Sequence, residues 1–356
     1  MNGFIVVMPS FKAGGAQRVL SILLNHMAET GADTILMLLK KEAPVEYELN
    51  KNIRIIRNNI TKRNKFFNII NEIRTIRKYL KGHQGYVCVS FITMYNLYTI
   101  LASLGLKNRI IVSERVAPER SLPRNSKILN RLRNLLYQKA DWVVFQTREE
   151  EKYFDKIKGI NRIIIPNPLS KGLPIKNDYN DGLKFISVAR LETQKNYPLL
   201  MDAMDLVVDK YPEAKLLIYG KGSQEQQLLN YHMHLKHPEN IIFKGFTNHV
   251  SDVMLNAYAF VLSSDYEGIS NSMLEALAIG VPCICTDCPG GGAGQYIESG
   301  KTGILVPTND KTALTNAMLK LIEDPKCRES IGRAGRYIRE ELDTNKIINC
   351  WMRLFA

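Results

Sequence analysis

The sequence predicts an α/β architecture of two parallel, helix-covered sheets, that is, two Rossmann-like domains in tandem facing a cleft. Three observations carry this. Short β-rich runs alternate with amphipathic stretches from end to end, the alternation breaks once at a Pro- and Gly-rich segment, and 356 residues suit two ordinary cores better than one.

In the first half, strand-like runs fall at 4–8, 34–39, 86–91, 109–112, 142–145 and 162–165. Helical spacing fits 16–28, 66–81, 94–104, 125–139 and 148–157. Pro166-Asn167-Pro168, Gly172, Pro174 and the polar run 176–182 have linker chemistry, which sets domains at 1–166 and 183–340 around a linker at 167–182. The second alternation places strands at 184–189, 215–219, 240–244, 259–263 and 282–286. Its helices fall at 197–209, 223–236, 249–257, 271–279 and 310–323. After Asp324-Pro325 the helical stretches 326–341 and 344–355 lack strand partners, and residues 341–356 are expected to return to the first domain.

Composition narrows the classes. No apolar run approaches the roughly 18 residues that span a bilayer as a helix. The opening MNGFIVVMPS has neither a charged leader nor a small-residue cleavage site, so it reads as a first strand and the protein is expected in the cytoplasm. Cys88, Cys283, Cys285, Cys288, Cys327 and Cys350 follow no disulfide framework and are expected to be reduced. CICTDC at 283–288 has no His or fourth Cys nearby and follows Val281-Pro282 as a buried strand would, so no metal is expected there. His232, His234 and His237 lie on a polar helical stretch and are expected to face solvent. Charge is divided unevenly, with a net +15 over residues 1–165 and −2 over the rest.

Open α/β sheets bind ligands outside the carboxyl ends of their strands, and four stretches put polar residues or glycines there. In PSFKAGGAQRVL, Gly14-Gly15 lies between a strand and a helix, where backbone N–H groups can approach an anion or the chain can simply turn. It is not the dinucleotide fingerprint, because GxGxxG is missing. In SVARLETQKNYPLL, Arg190 and Lys195 follow the first strand of the second half, placed for a diphosphate or else merely solvated. LLIYGKGS ends in Gly220-Lys221-Gly222, a turn close to a ligand or a neighbouring loop. In DYEGISNSMLEALAIGVP, Glu267 lies on a loop, Gly268 turns the chain, and Ser270 or Asn271 caps a helix whose first turns hold Glu275. Carboxylates accept hydroxyl donors, which suits a vicinal diol, and the N–H groups of Ile269, Ser270 and Asn271 suit phosphate or sugar oxygens. A glycosidase would need two carboxylates with opposed pKa values across one bond, a setting that nothing here supplies.

GGAQRVL, IIIPNP, ARLETQKN, YGKG, DYEGISNSMLEALAIGVPCICTDCPGG and TGILVP, in this order, resemble the retaining glycosyltransferases of family 4, which have the GT-B fold, and among them the bacterial surface-polysaccharide and glycan-assembly type. The resemblance covers nearly the whole chain, with Glu267 to Glu275 as its E-x7-E signature. It implies a nucleotide-sugar donor held mainly by the second domain, an acceptor held mainly by the first, and retention of anomeric configuration. It implies no cofactor and no metal, and the chain has no Asp-x-Asp pair. By position, Glu275 would hold the ribose hydroxyls and Glu267 those of the transferred sugar. Arg190 and Lys195 would hold the diphosphate, Gly14 and Gly15 would complete that clamp, and Gly268, Ile269, Ser270 and Asn271 would line the donor. Glu267, Arg190 and Lys195 are then the expected catalytic set, since fixed cations stabilise a leaving diphosphate. Where many relatives carry a His after a first-domain strand, this chain reads VSERVAP, so Ser113, Glu114 and Arg115 are expected on the sugar or acceptor side, with Glu114 in a catalytic role.

The expected donor is a UDP-linked hexose or N-acetylhexosamine. The expected acceptor is a glycan on a polyprenyl-diphosphate carrier in lipopolysaccharide or capsule assembly, with a soluble acceptor or a GDP-sugar as the alternative. The stretch 53–81 combines Phe66, Phe67, Ile69, Ile70, Ile73 and Ile76 with many cations, and 115–139 adds Arg120, Arg124, Lys127, Arg131, Arg133 and Lys139. Such faces adhere to anionic membranes at about 1 kcal/mol per cation near the lipid, so peripheral attachment to the inner face of the plasma membrane is expected. The rival is a helix whose apolar side belongs to the core. A non-catalytic protein that binds anionic polymers rests on the +15 alone, and no nucleic-acid partner is expected.

Overall fold

The computed structural model describes residues 3–12, 14–40, 44–58, 64–123, 126–179 and 182–356. Arg124, the expected helix start at Asn125, residues 59–63 of the basic stretch and residues 180–181 of the expected linker lie outside these. The chain divides into two compact units, Met1–Pro168 with Asn345–Ala356, and Leu169–Thr344.

The first unit is organised by strands β1 (Gly3–Met8), β2 (Asp33–Leu38), β3 (Arg54–Arg57), β4 (Val87–Phe91), β5 (Arg109–Ser113), β6 (Trp142–Phe145) and β7 (Arg162–Ile164). They form one parallel sheet in the order β3-β2-β1-β4-β5-β6-β7. Every residue of β1 and β4 is buried, the mark of central strands covered on both faces. The unit's helices are α1 (Gly15–Glu29), α2 (Lys65–Gly82), α3 (Thr93–Ser103), α4 (Lys127–Tyr137) and α5 (Arg148–Lys152). Ile5, Ile35, Cys88, Leu97, Tyr137 and Phe154 belong to the core they share with the sheet. Strand β3, with the sequence RIIR, escaped the sequence reading because it is a mostly exposed edge strand whose charges stand in place of an apolar run.

In the second unit, β8 (Lys184–Val188), β9 (Lys215–Tyr219), β10 (Ile241–Gly245), β11 (Ala259–Leu262), β12 (Cys283–Asp287) and β13 (Ile304–Pro307) form a parallel sheet in the order β10-β9-β8-β11-β12-β13. Helices α6 (Tyr197–Lys210), α7 (Glu225–His232), α8 (Val250–Leu255), α9 (Asn271–Ile279), α10 (Gly292–Tyr296), α11 (Lys311–Glu323), α12 (Pro325–Gly335) and α13 (Ile338–Glu341) accompany it. The single helix expected at 326–341 is thus two, α12 and α13. The helix expected at 223–236 ends at His232, whose ring contacts the Pro238 carbonyl oxygen at 2.6 Å, while His237 reaches Asp209 at 2.8 Å and His234 is exposed.

The last helix, α14 (Thr344–Phe355), packs in the first unit. Trp351 is fully buried with its ring 5.6 Å from that of Phe91, and Phe355 lies 5.1 Å from Phe4. The segment 173–179, expected as linker, is held on the second unit by arginines. Arg339 donates to the carbonyls of Leu173 at 2.8 Å, Pro174 at 3.1 Å and Ala278 at 2.9 Å, while Arg336 reaches Lys176 O and Arg328 reaches Tyr179 O.

Cys283, Cys285 and Cys288 are buried, and burial pushes the Cys288 thiol up to about 12, so these are packing residues rather than reactive ones. Among the described residues no group of three or more His, Cys, Asp or Glu could hold a metal ion, and no helix is long and apolar enough to cross a membrane.

Candidate functional site

The strand order of the second sheet reverses between β8 and β11, and the loops leaving these two strands bring the expected residues together. After β8 the chain makes a tight 3-10 turn over Thr193–Lys195, closed by Asn196 at φ 45, a left-handed position that Asn tolerates. Asn196 donates to Asp265 Oδ1 at 2.8 Å, and its own Oδ1 caps α6. The Asp265 amide donates to Gln194 O at 2.9 Å, and the Ser263 hydroxyl donates to Lys195 O at 2.9 Å. Backbone and side-chain hydrogen bonds together therefore lock the two loops to one another.

Glu267 lies at the centre of this arrangement. Its Oε1 pairs with the Lys195 ammonium and accepts the Ser264 hydroxyl at 2.9 Å, while its Oε2 accepts Gln194 Nε2 at 3.2 Å. Gln194 Nε2 also donates to Tyr266 O at 2.7 Å. Lys195 and Glu267 are both buried, so the charges need each other. From behind, Glu267 N donates to Pro289 O at 3.0 Å, and Gly292 packs so closely that a Cβ there would stand 1.8 Å from Gly268 O.

Eight residues on, Ser270 caps α9 through Met273 N and Gly280 ends the helix at φ 97. Glu275, in the second turn of α9, is buried and accepts the Ser170 hydroxyl at 2.7 Å. Gly268, Ile269 and Ser270 are buried in the connecting turn, with Asn271 half-buried. Arg190 is exposed on the β8 loop. Its neighbour Glu192 is held below the usual carboxylate range, chiefly by the Ser223 hydroxyl, with Arg190 adding to the effect.

The Gly220-Lys221-Gly222 turn serves this loop by close approach. A Cβ on Gly220, which has φ +148, would meet Ala189 O at 1.9 Å, and one on Gly222 would meet Leu191 O at 2.2 Å. Leu191 N donates to Lys221 O at 3.0 Å. Of the two alternatives left open by the sequence, the neighbouring loop accounts for both glycines.

In the first unit, Gly14 N donates to the Tyr47 hydroxyl at 3.0 Å, and that hydroxyl donates to Gly14 O at 2.9 Å; Gly15 opens α1. Ser113 and Glu114 differ from the acceptor-lining place expected of them, because both are fully buried and bonded inside the unit. Ser113 donates to Val144 O at 3.0 Å, and Glu114 accepts from Thr93 at 2.7 Å and from Tyr137. Burial raises the Glu114 carboxyl above its usual range, against the pull of Arg133 and these hydrogen bonds. The Arg115 guanidinium lies 3.8 Å over the Phe91 ring and 5.6 Å from that of Trp351 and donates to Asn167 at 2.9 Å; burial lowers its pKa to about 9. Gln194, Ser264, Ser170 and Tyr47 were missed in the sequence. The first two adjoin motif residues, whereas nothing local marks Ser170 or Tyr47.

The expected membrane face also changes. Ile76 is core, and Ile69 and Ile73 pack against it, which leaves Phe66 and Phe67 exposed at 64% and 58%. Arg133 is fully buried, donating to Pro118 O and Ser121 Oγ, both at 2.9 Å. On α4, Ile128 and Leu135, which the sequence reading passed over, are 80% and 63% exposed beside the exposed Lys127, Arg131 and Lys139.

Two doubly wound parallel sheets, the second with a cation–carboxylate centre at its switch point, define an α/β protein of the GT-B fold. A crystal structure of a TarM point mutant from S. aureus in complex with Fondaparinux, alpha-GlcNAc-glycerol and UDP matches with a TM-score of 0.81 over 100% of both chains at 13% identity, a likeness of fold. Residues 173–337, a little under half of the chain, match the family model of the glycosyl transferases group 1. An uncharacterized glycosyltransferase of Methanocaldococcus jannaschii is 28% identical over 274 residues, covering 64% of this chain and 66% of that one. The N-acetylgalactosamine-N,N'-diacetylbacillosaminyl-diphospho-undecaprenol 4-alpha-N-acetylgalactosaminyltransferase of Campylobacter jejuni is 26% identical over 272 residues, 72% of each chain.

Proposed function

We propose that the chain transfers a hexose or N-acetylhexosamine, with retention and without a metal, from a UDP-sugar to a glycan on a polyprenyl-diphosphate carrier in cell-surface polysaccharide assembly. The observation that carries this is the constellation of Lys195, Glu267 and Glu275 with Arg190 at the switch point of the second sheet. Cations on the β8 loop suit a diphosphate, and carboxylates on the β11 loop and α9 suit the hydroxyls of a sugar and a ribose. As the anomeric bond breaks, negative charge grows on the leaving diphosphate, and cations already in place lower that barrier. The UDP in the TarM crystal structure and the undecaprenol-linked substrate named for the Campylobacter relative support the donor and the acceptor class. Exposed Ile128 and Leu135 among cations support peripheral attachment to an anionic leaflet, which we place at the inner face of the plasma membrane.

A panel of UDP- and GDP-sugars, with a short-chain polyprenyl-diphosphate glycan as acceptor, tests the reading. Transfer from a UDP-sugar that keeps its anomeric configuration and survives a chelator is expected. An inverted product, a requirement for a divalent cation, or no response to any nucleotide sugar would each sink the corresponding part.

A further inference from the structure

We infer that Glu267 competes with the donor diphosphate for Lys195, and that Gln194 and Ser264 are positioning residues that keep Glu267 in place when the lysine is drawn away. The inference rests on the donor-binding reading above, which assigns the two members of this ion pair to different ends of one ligand.

A carboxylate offers about four lone-pair directions, two on each oxygen. Around Glu267 three are taken, by Lys195 and Ser264 on Oε1 and by Gln194 on Oε2. One direction remains, on Oε2. A vicinal diol needs two acceptors, so with Lys195 in place the carboxylate can hold only half of one. Transfer of the ammonium to a diphosphate opens the second direction, on Oε1, and the site for the sugar is then complete.

Little has to move for this exchange. The backbone of the 3-10 turn is tied down by Asp265 N to Gln194 O and by Ser263 Oγ to Lys195 O, so only the flexible lysine stem swings. Gln194 cannot follow it, since the same Nε2 is also spent on Tyr266 O. Ser264 is fully buried, and its carbonyl accepts Thr286 Oγ1 at 2.6 Å, which fixes the serine from the next strand.

The consequence is discrimination by exchange. A nucleoside diphosphate alone takes the lysine and leaves a buried carboxylate short of its cation, a costly state. A complete nucleotide sugar takes the lysine and returns two hydroxyls to the same carboxylate. The pair therefore weakens binding of the bare nucleotide more than binding of the intact donor.

Calorimetric titration of the full chain with UDP and with the UDP-sugar selected by the panel decides the matter. Glu267→Gln removes the anionic competitor, so UDP is expected to bind several-fold more tightly than to the wild type, while the preference for UDP-sugar over UDP shrinks. Gln194→Ala keeps the competitor but frees its carboxylate, so UDP affinity should stay within about twofold while the UDP-sugar preference falls at least fivefold. Glu267→Gln that binds UDP equally or less tightly, with a melting temperature near that of the wild type, overturns the inference. If that variant fails to fold, an unchanged UDP-sugar preference in Gln194→Ala overturns it. Wild-type protein that binds no UDP in any form removes the donor-binding reading itself, a failure distinct from the other two.

Discussion

Ser170 donates a 2.7 Å hydrogen bond to Glu275, tying a residue just past Pro168 to the second turn of a helix 105 positions further along the chain. The bond orients the carboxylate assigned to the ribose. Ser170→Ala should weaken donor binding by about 1 kcal/mol, the usual worth of one such bond. Steady-state kinetics would show that as a several-fold higher donor KM with kcat nearly unchanged; an equal fall in kcat would place Ser170 in a different role.

Gly220→Ala should be far more damaging than its size suggests. Its Cβ would stand 1.9 Å from Ala189 O at a backbone angle that only glycine adopts freely, so the loop carrying Arg190 must shift. Urea denaturation should show a loss above about 2 kcal/mol, with donor affinity falling alongside.

The contact of Arg115 with Phe91 and Trp351 makes a separate claim, since it lies wholly in the first unit. Trp351→Ala should cost about 3–5 kcal/mol as a large-to-small core change. Arg115→Lys loses the planar stack and should lower stability measurably while leaving nucleotide affinity unchanged. A loss of nucleotide affinity in Arg115→Lys would contradict the structural role.

Glu150 sets a pH dependence. It is fully buried at the start of α5, accepts Gln146 N at 2.7 Å, and burial pushes its carboxyl up to about 8. An unfolded glutamate titrates at about 4.3, so between these values the folded chain holds a proton that the unfolded chain has lost. Stability from this group is therefore complete below the lower value and declines as pH rises toward 8. Glu150→Gln mimics the protonated form. Its melting temperature should match the wild type at acid pH and exceed it at pH 8, which a melting series over that range would read directly.

Much of this was legible in the residues themselves. Buried parallel strands such as β1 and β4 declare themselves as unbroken apolar runs, and the capped, glycine-stopped α9 declared itself by Ser270 and Gly280. Edge strand β3 and the short α10 carried no such signal. At the site, sequence order placed Glu267 and Lys195 on loops that each follow a strand but could not reveal that they bond to each other, because 72 residues separate them. Glu114 looked available because it follows a strand. Its real surroundings, Thr93 and Tyr137, come from α3 and α4, and only three-dimensional packing brings them there.

Arg328 of α12, Arg336 just past its end and Arg339 of α13 give the residues before β8 a different standing. Leu173, Pro174, Lys176 and Tyr179 each present a carbonyl to Arg339, Arg336 or Arg328, and the family match begins at residue 173. What reads as a tether between domains is the outer rind of the second one. Any attempt to excise that unit as a free-standing nucleotide-binding module must therefore carry this stretch with it, or strip Arg339, Arg336 and Arg328 of the carbonyls that the stretch presents to them.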